Sequence, residues 1–154
     1  MEPKAQGAAL TVRSLTAEDI DTVLKLDLEL FDEQWSKEGW QREVSGNGIA
    51  YYYVLEKAGQ FLGYGGYWLV FDEVQVTRLG IIRSQQGKGY GDFLVKALLA
   101  KAREQQAQVV TLEVRENNYP ALKIYTKNGF QKAGIRPKYY ANKDNAILMN
   151  LKLR

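Results

Sequence analysis

Three glycines spaced two apart, Gly87, Gly89 and Gly91, stand just ahead of an apolar stripe with helical spacing in RSQQGKGYGDFLVKALLAKAR (83–103). The first amides of a helix have no carbonyl partner within it, and that end carries about +0.5 of an elementary charge. Glycines there remove the side chains that would keep an anion from the backbone, so the stretch suits a phosphate. Two common phosphate loops fail on register. G-x-x-x-x-G-K-[ST] needs glycine where Ile82 stands and Ser or Thr where Gly89 stands; G-x-G-x-x-G needs glycine where Asp92 stands. What remains is Gln86-Gly87-Lys88-Gly89-Tyr90-Gly91, of the form [QR]-x-x-G-x-G.

The chain has no histidine and no cysteine. Acid–base chemistry therefore falls to carboxylate, tyrosine or lysine, and disulfides, thiolate metal sites and a cysteinyl acyl carrier are excluded. No metal is expected. Glu113 interrupts the apolar run Val109, Val110, Leu112, Val114. A carboxylate in such a strand is costly unless it is solvated, paired or used. It is a candidate base, or a carboxylate bonded to backbone at the open end of a sheet. Tyr125 follows Asn118 by seven residues, about two helical turns, so both project on one side. A phenol there can donate a proton, or simply pack with its hydroxyl in solvent. Asn118 can cap its helix and also bond a ligand.

The elements that must position these residues are legible. LTVRSL (10–15) alternates like a strand, and Thr16 with Asp19 opens a helix whose face is Ile20, Val23, Leu24, Leu28 and Phe31. Ser36 caps a second helix carrying Trp40 and Val44. Segments 49–57 and 60–71, joined by Ala58-Gly59, read as a hairpin, and 73–82 as the next strand. Helix 90–106 has the stripe Phe93, Leu94, Ala97, Leu98, Ala102. Strand 109–114, a helix opened by Asn118 and closed at Asn128-Gly129, and a terminal antiparallel pair complete the order. The tyrosine-rich YYY (51–53) and GYGGYW (63–68) suit sheet packing. Residues 1–9 read as a flexible tail and 10–154 as one mixed α/β domain.

The loop, together with LEVRENNYPALKIYTKNGF (112–130), resembles the acetyl-CoA segments of the GNAT superfamily of N-acetyltransferases. GIRPKYYANKDNAILMNLKL (134–153) resembles the C-terminal hairpin of one branch, the ribosomal-protein alanine N-acetyltransferases. The general likeness covers roughly 10–153 and its close part 79–153; FDEQW (31–35) replaces that family's Phe-Pro-Trp, and Arg83-Ser84 stand where it usually has Pro. The resemblance implies a mostly antiparallel central sheet of six or seven strands flanked by about four helices. It implies acetyl-CoA as co-substrate, held by Ile81, Ile82, Gln86, Gly87, Lys88, Gly89, Tyr90, Gly91 and Asn118. It gives the base role to Glu113, the acid role to Tyr125 and the oxyanion role to the amide of Ile81 or Ile82. The acceptor it implies is the N-terminus of a protein, that of a small-subunit ribosomal protein in this branch. Phe31, Trp35, Tyr139 and Tyr140 would frame the acceptor, with Asp72 and Glu73 adding negative charge.

Charge and composition narrow the remaining choices. Lys and Arg outnumber Asp and Glu by 21 to 18, too evenly for a nucleic-acid face. No run approaches the roughly 18 apolar residues of a membrane span, and MEPKAQGAA lacks the order of a signal peptide. A cytoplasmic protein is expected. The residues alone leave open a lysine or small-molecule amine as acceptor, and a coenzyme-binding module without catalysis.

Overall fold

The structure, a computed structural model, describes residues 9–139 and 144–154. Apart from Ala9, the expected tail lies outside the described residues, as does Tyr140. The elements run β1 (Leu10–Ser14), α1 (Ile20–Leu30), α2 (Lys37–Ser45), β2 (Ala50–Lys57), β3 (Gln60–Val70), β4 (Glu73–Ile81), α3 (Tyr90–Glu104), β5 (Val109–Arg115), α4 (Tyr119–Lys127), β6 (Gln131–Arg136) and β7 (Ala146–Lys152), with short 3₁₀ turns at Ala17–Asp19 and Arg83–Gln85. The strands form one sheet in the order β1-β2-β3-β4-β5-β7-β6. Every neighbouring pair is antiparallel except β4–β5.

Strand alternation divides the core between the two sheet faces. Tyr53, Leu55, Val110, Leu112 and Val114 pack with Leu94, Leu98 and Tyr125 on the face that α3 and α4 cover. Tyr52, Val54 and Tyr64 pack with Ile20, Val23 and Trp40 on the face that α1 and α2 cover. Glycines in β3 let rings cross the sheet: a Cβ on Gly66 would stand 2.1 Å from Tyr52 Cδ1. Thr77 is the extra residue of a bulge, since Gly66 pairs with Arg78 and Tyr67 with Val76. The bulge switches which β4 side chains face which layer. Val74 joins the α3 cluster, whereas Arg78 meets rings near α1.

Two expected stripes differ in detail. Leu28 is 72% exposed, while Asp27 is fully buried. Counting i, i+3, i+4, i+7 from Ile20 arrives at Asp27, so the period was right and an acid occupies the inward position. On α3, Phe93 is exposed and Val95 and Leu99 are buried, because the core face is Leu94, Val95, Leu98, Leu99, Ala102. The caps match: Ser36 Oγ accepts from the Gly39 amide at 2.9 Å, and the Thr16 amide donates to Asp19 at 2.8 Å. Among the described residues no helix is long and apolar enough to cross a membrane, and no group of His, Cys, Asp or Glu is arranged to hold a metal.

Candidate active site

The site begins where two parallel strands stop pairing. β4 and β5 are in register at Glu73↔Val109, Val74↔Val110 and Gln75↔Thr111, and then part. β4 continues to Ile81 along β3, and β5 continues to Arg115 along β7. The result is a wedge whose facing edges have unspent backbone groups. The Ile82 amide is already bonded to Leu62 O at 2.8 Å. Strand alternation then turns the Ile81 amide away from β3, toward the wedge. Of the two expected oxyanion donors, Ile81 is therefore the one free to serve. Asp72 and Glu73 sit at the closed end of the wedge, so they do not charge its mouth as expected.

The glycine loop closes the open end. Gly87 and Gly89 adopt φ of 80° and 86°, the left-handed region that glycine tolerates without cost. The first helical bond of α3 runs from the Phe93 amide to Gly89 O, which leaves the amides of Tyr90, Gly91 and Asp92 ahead of it. Gly91 is needed for a different reason: a Cβ there would lie 3.2 Å from Ile124 Cδ1, so α4 packs against bare backbone. Gln86 Nε2 donates to Ile81 O at 3.0 Å, tying the loop to the strand end. Lys88 Nζ bonds Gln85 Oε1 and is exposed. A cleft of about 300 Å³ beside the loop is lined by Lys57, Gln60, Gln85, Lys88 and Tyr90. Asp92 points the other way, to Lys96, Lys127 and Asn128, and these partners pull its carboxyl down to about 2.

The candidate acid and base lie on opposite faces of the sheet. Glu113 alternates with Leu112 and Val114, so it projects on the α1 side. Its Oε2 is 3.0 Å from Arg136 Nε. That contact is an ion pair by distance, without hydrogen-bond alignment, and the oxygen is otherwise sealed. Oε1 accepts no hydrogen bond from the described residues and is not sealed. Tyr125 is buried on the α4 side, its ring edge-on to Phe130 at 5.5 Å. Asn118 caps α4, its Oδ1 accepting from the Ala121 amide at 3.3 Å.

On the Glu113 side, a wall forms from three segments. Phe31 and Trp35 both lie against the Arg78 guanidinium, at 4.4 and 4.5 Å from the ring centroids. Arg115 pairs with Asp32 and, at 3.0 Å, with Asp144, so it ties the segment after α1 to the one before β7. The Arg136 guanidinium lies 5.0 Å from the Tyr139 ring. Sequence reasoning missed all three arginines. Arg78 carried the same signal as Glu113, a charge inside an apolar strand, whereas Arg115 and Arg136 become visible only once β5, β6 and the loops are adjacent.

Comparison with known proteins now bears on this arrangement. The family model described as Acetyltransferase (GNAT) family matches residues 18–130. The chain belongs to the GNAT acetyltransferase family. It is thus an acyltransferase, with the expected mixed α/β fold. A Bacillus subtilis relative named a putative ribosomal protein bS18-alanine N-acetyltransferase is 37% identical over 139 residues, 90% of this chain and 92% of that protein. The crystal structure of the ribosomal-protein-S18-alanine N-acetyltransferase from Escherichia coli superposes with a TM-score of 0.85 at 24% identity, covering 94% of each chain. A spermidine N-acetyltransferase SpeG chimera from Vibrio cholerae and hSSAT superposes with a TM-score of 0.83 at 20% identity, covering 93% of this chain and 95% of that one. The solved proteins that share this fold thus differ in the acceptor their names give.

Proposed function

We propose that this GNAT chain moves the acetyl group of acetyl-CoA to the α-amino group of a protein N-terminus, by direct attack in a ternary complex. The observation that carries the reading is the β4–β5 wedge, with Glu113 on one sheet face and Tyr125 on the other. The residues present fit the coenzyme. The unpaired amides at the start of α3 and the bare backbone of Gly87 and Gly89 suit its diphosphate. Gln86, Lys88, Tyr90 and Gly91 surround that point, and the free strand edge at Ile81, with Asn118 opposite, suits an amide-bearing arm. Acetyl-CoA supplies the thioester acyl group.

The chain's own residues then divide the work. Glu113 Oε1 takes the proton that the amine sheds as its nitrogen bonds the acyl carbon, directly or through one water. The Ile81 amide steadies the carbonyl oxygen as charge builds on it. Tyr125 returns a proton to the departing sulfur. An α-amine titrates near ~7.7–8.0, so about a tenth is neutral at pH 7, against well under ~0.1% of a lysine near ~10.4. A single carboxylate base is enough for the first acceptor and poor for the second.

Phe31, Trp35 and Tyr139 frame the acceptor in this reading, and residues 10–154 act as one domain. The Bacillus subtilis relative points to ribosomal protein bS18 as the acceptor, and a cytoplasmic location goes with it. The test incubates acetyl-CoA and the protein with peptides whose N-termini are free or blocked, each carrying an internal lysine. Mass spectrometry should find acetyl on the free N-termini alone. Equal acetylation of the blocked peptides would give the site to lysine or small amines instead.

A further inference from the structure

Arg78 has no role in the reaction as described, yet its placement is unusual. It is 6% exposed and makes no ion pair with any carboxylate among the described residues. Its guanidinium lies over the rings of Phe31 and Trp35, and Nη2 donates to Glu33 O at 2.6 Å. The other donors have no acceptor among the described residues, and none of them is both unbonded and sealed from solvent. A buried cation with neutral partners is expensive unless something else completes its shell.

The bulge at Thr77 places this cation at the acceptor wall. Gln75 pairs with Thr111 on the sheet face opposite the α3 cluster, and Glu113 follows Thr111 on that face. After the bulge, Arg78 occupies the same face of β4, one strand across the wedge from Glu113. A ligand that reaches from Glu113 across the wedge to β4 would meet a guanidinium held against two aromatic rings.

We propose that Arg78 is a specificity-determining residue that bonds the first peptide carbonyl of the acceptor and repels acceptors carrying a second positive charge. The inference rests on the N-terminal acetyltransferase reading and extends it. The carbon that bears a peptide's α-amine is two bonds from a carbonyl oxygen, which can accept a charge-assisted hydrogen bond from a guanidinium. A polyamine has no oxygen there and brings additional ammonium groups toward a charge that cannot move away. The same fold can then accept spermidine in one protein and a peptide in this one.

The test compares three acceptors: an alanyl peptide, its trans-alkene isostere lacking the first carbonyl oxygen, and spermidine. With the native chain, kcat/KM should fall about 10- to 100-fold from peptide to isostere, the size of one charge-assisted hydrogen bond, and spermidine should be poorer still. Arg78→Gln should lose the peptide–isostere difference, mainly through KM, while spermidine holds or improves. Arg78→Lys keeps the charge and should still reject spermidine. Calorimetry with acetyl-CoA checks that each variant retains the folded coenzyme site. The isostere arm needs no variant, so a misfolded Arg78→Gln leaves the proposal exposed to it. Equal rates for peptide and isostere with the native chain overturn the proposal, as does a folded Arg78→Gln with unchanged acceptor ratios or equal losses on peptide and spermidine. A native chain that acetylates no peptide sinks the functional reading instead, and this inference with it.

Discussion

At the scale of single residues, the proposed reaction would divide between two side chains on opposite sheet faces. In the reaction proposed above, Glu113 would serve the arriving acceptor and Tyr125 the departing sulfur, from opposite faces of the sheet. Their substitutions should therefore separate. Glu113→Gln keeps shape and removes proton affinity, so kcat should drop roughly 100- to 10,000-fold with little change in the acetyl-CoA concentration for half-saturation. Tyr125→Phe should lower kcat less when the leaving thiol is made more acidic, since a good leaving group needs no proton. Single-turnover kinetics with two acyl thioesters would check both, and a Glu113→Gln protein of native turnover would end the base assignment. Glu113 stood out as a candidate because a charge broke an apolar run. Arg78 broke one equally, but its sheet face could not be read, because the bulge at Thr77 that decides it has no residue signature.

At the scale of elements, α1 is held by a polar anchor inside an apolar layer. Asp27 is fully buried and accepts from Trp40 Nε1 of α2 at 3.0 Å and from the Tyr64 hydroxyl of β3. Burial, and then the carboxylate's charge, push the Tyr64 phenol well above its usual range, so it keeps its proton and goes on donating. Three elements thus meet at one side chain, and α1 ends three residues on, at Leu30, with Phe31 as its C-cap. Asp27→Ala strands two buried donors and should cost roughly 2–4 kcal/mol in urea denaturation. Asp27→Asn, which keeps an acceptor oxygen and the volume, should cost less. Both should raise KM for the acceptor more than for acetyl-CoA, because Phe31 moves and the glycine loop does not. A native acceptor KM in a folded Asp27→Ala protein would refute the link. Element types and order were readable from periodicity and punctuation: the Ala58-Gly59 turn, the Ser36 cap and the Asn118 cap each stand where expected. The exposed Leu28 and Phe93 show the limit, since hydrophobicity marks candidates for a face and only packing selects among neighbours.

At the scale of the whole molecule, the sheet is two blocks joined by a short seam. β1 to β4 pair continuously on one side, β5, β7 and β6 on the other, and three register pairs connect them. The helices α3 and α4 bridge the blocks through the cluster containing Leu94, Leu98, Val114 and Tyr125. A ligand seated in the wedge from the Gly87–Gly91 loop toward Ile81 would span the seam and replace the strand contacts that β4 and β5 give up. Binding to the folded state alone adds about 2.7 kcal/mol at a ligand concentration of 100 times Kd. For a chain of this length that corresponds to a rise in Tm of about 5–10 °C. Gly89→Val forces a β-branched residue to φ of 86° at the helix start, so it should abolish most of that rise while α3 still folds. Differential scanning calorimetry of both proteins with coenzyme A would decide it. A rise of equal size in the variant would mean that the coenzyme stabilises the molecule from somewhere other than this loop, and a flat Tm in the native chain would mean that nothing seats across the seam.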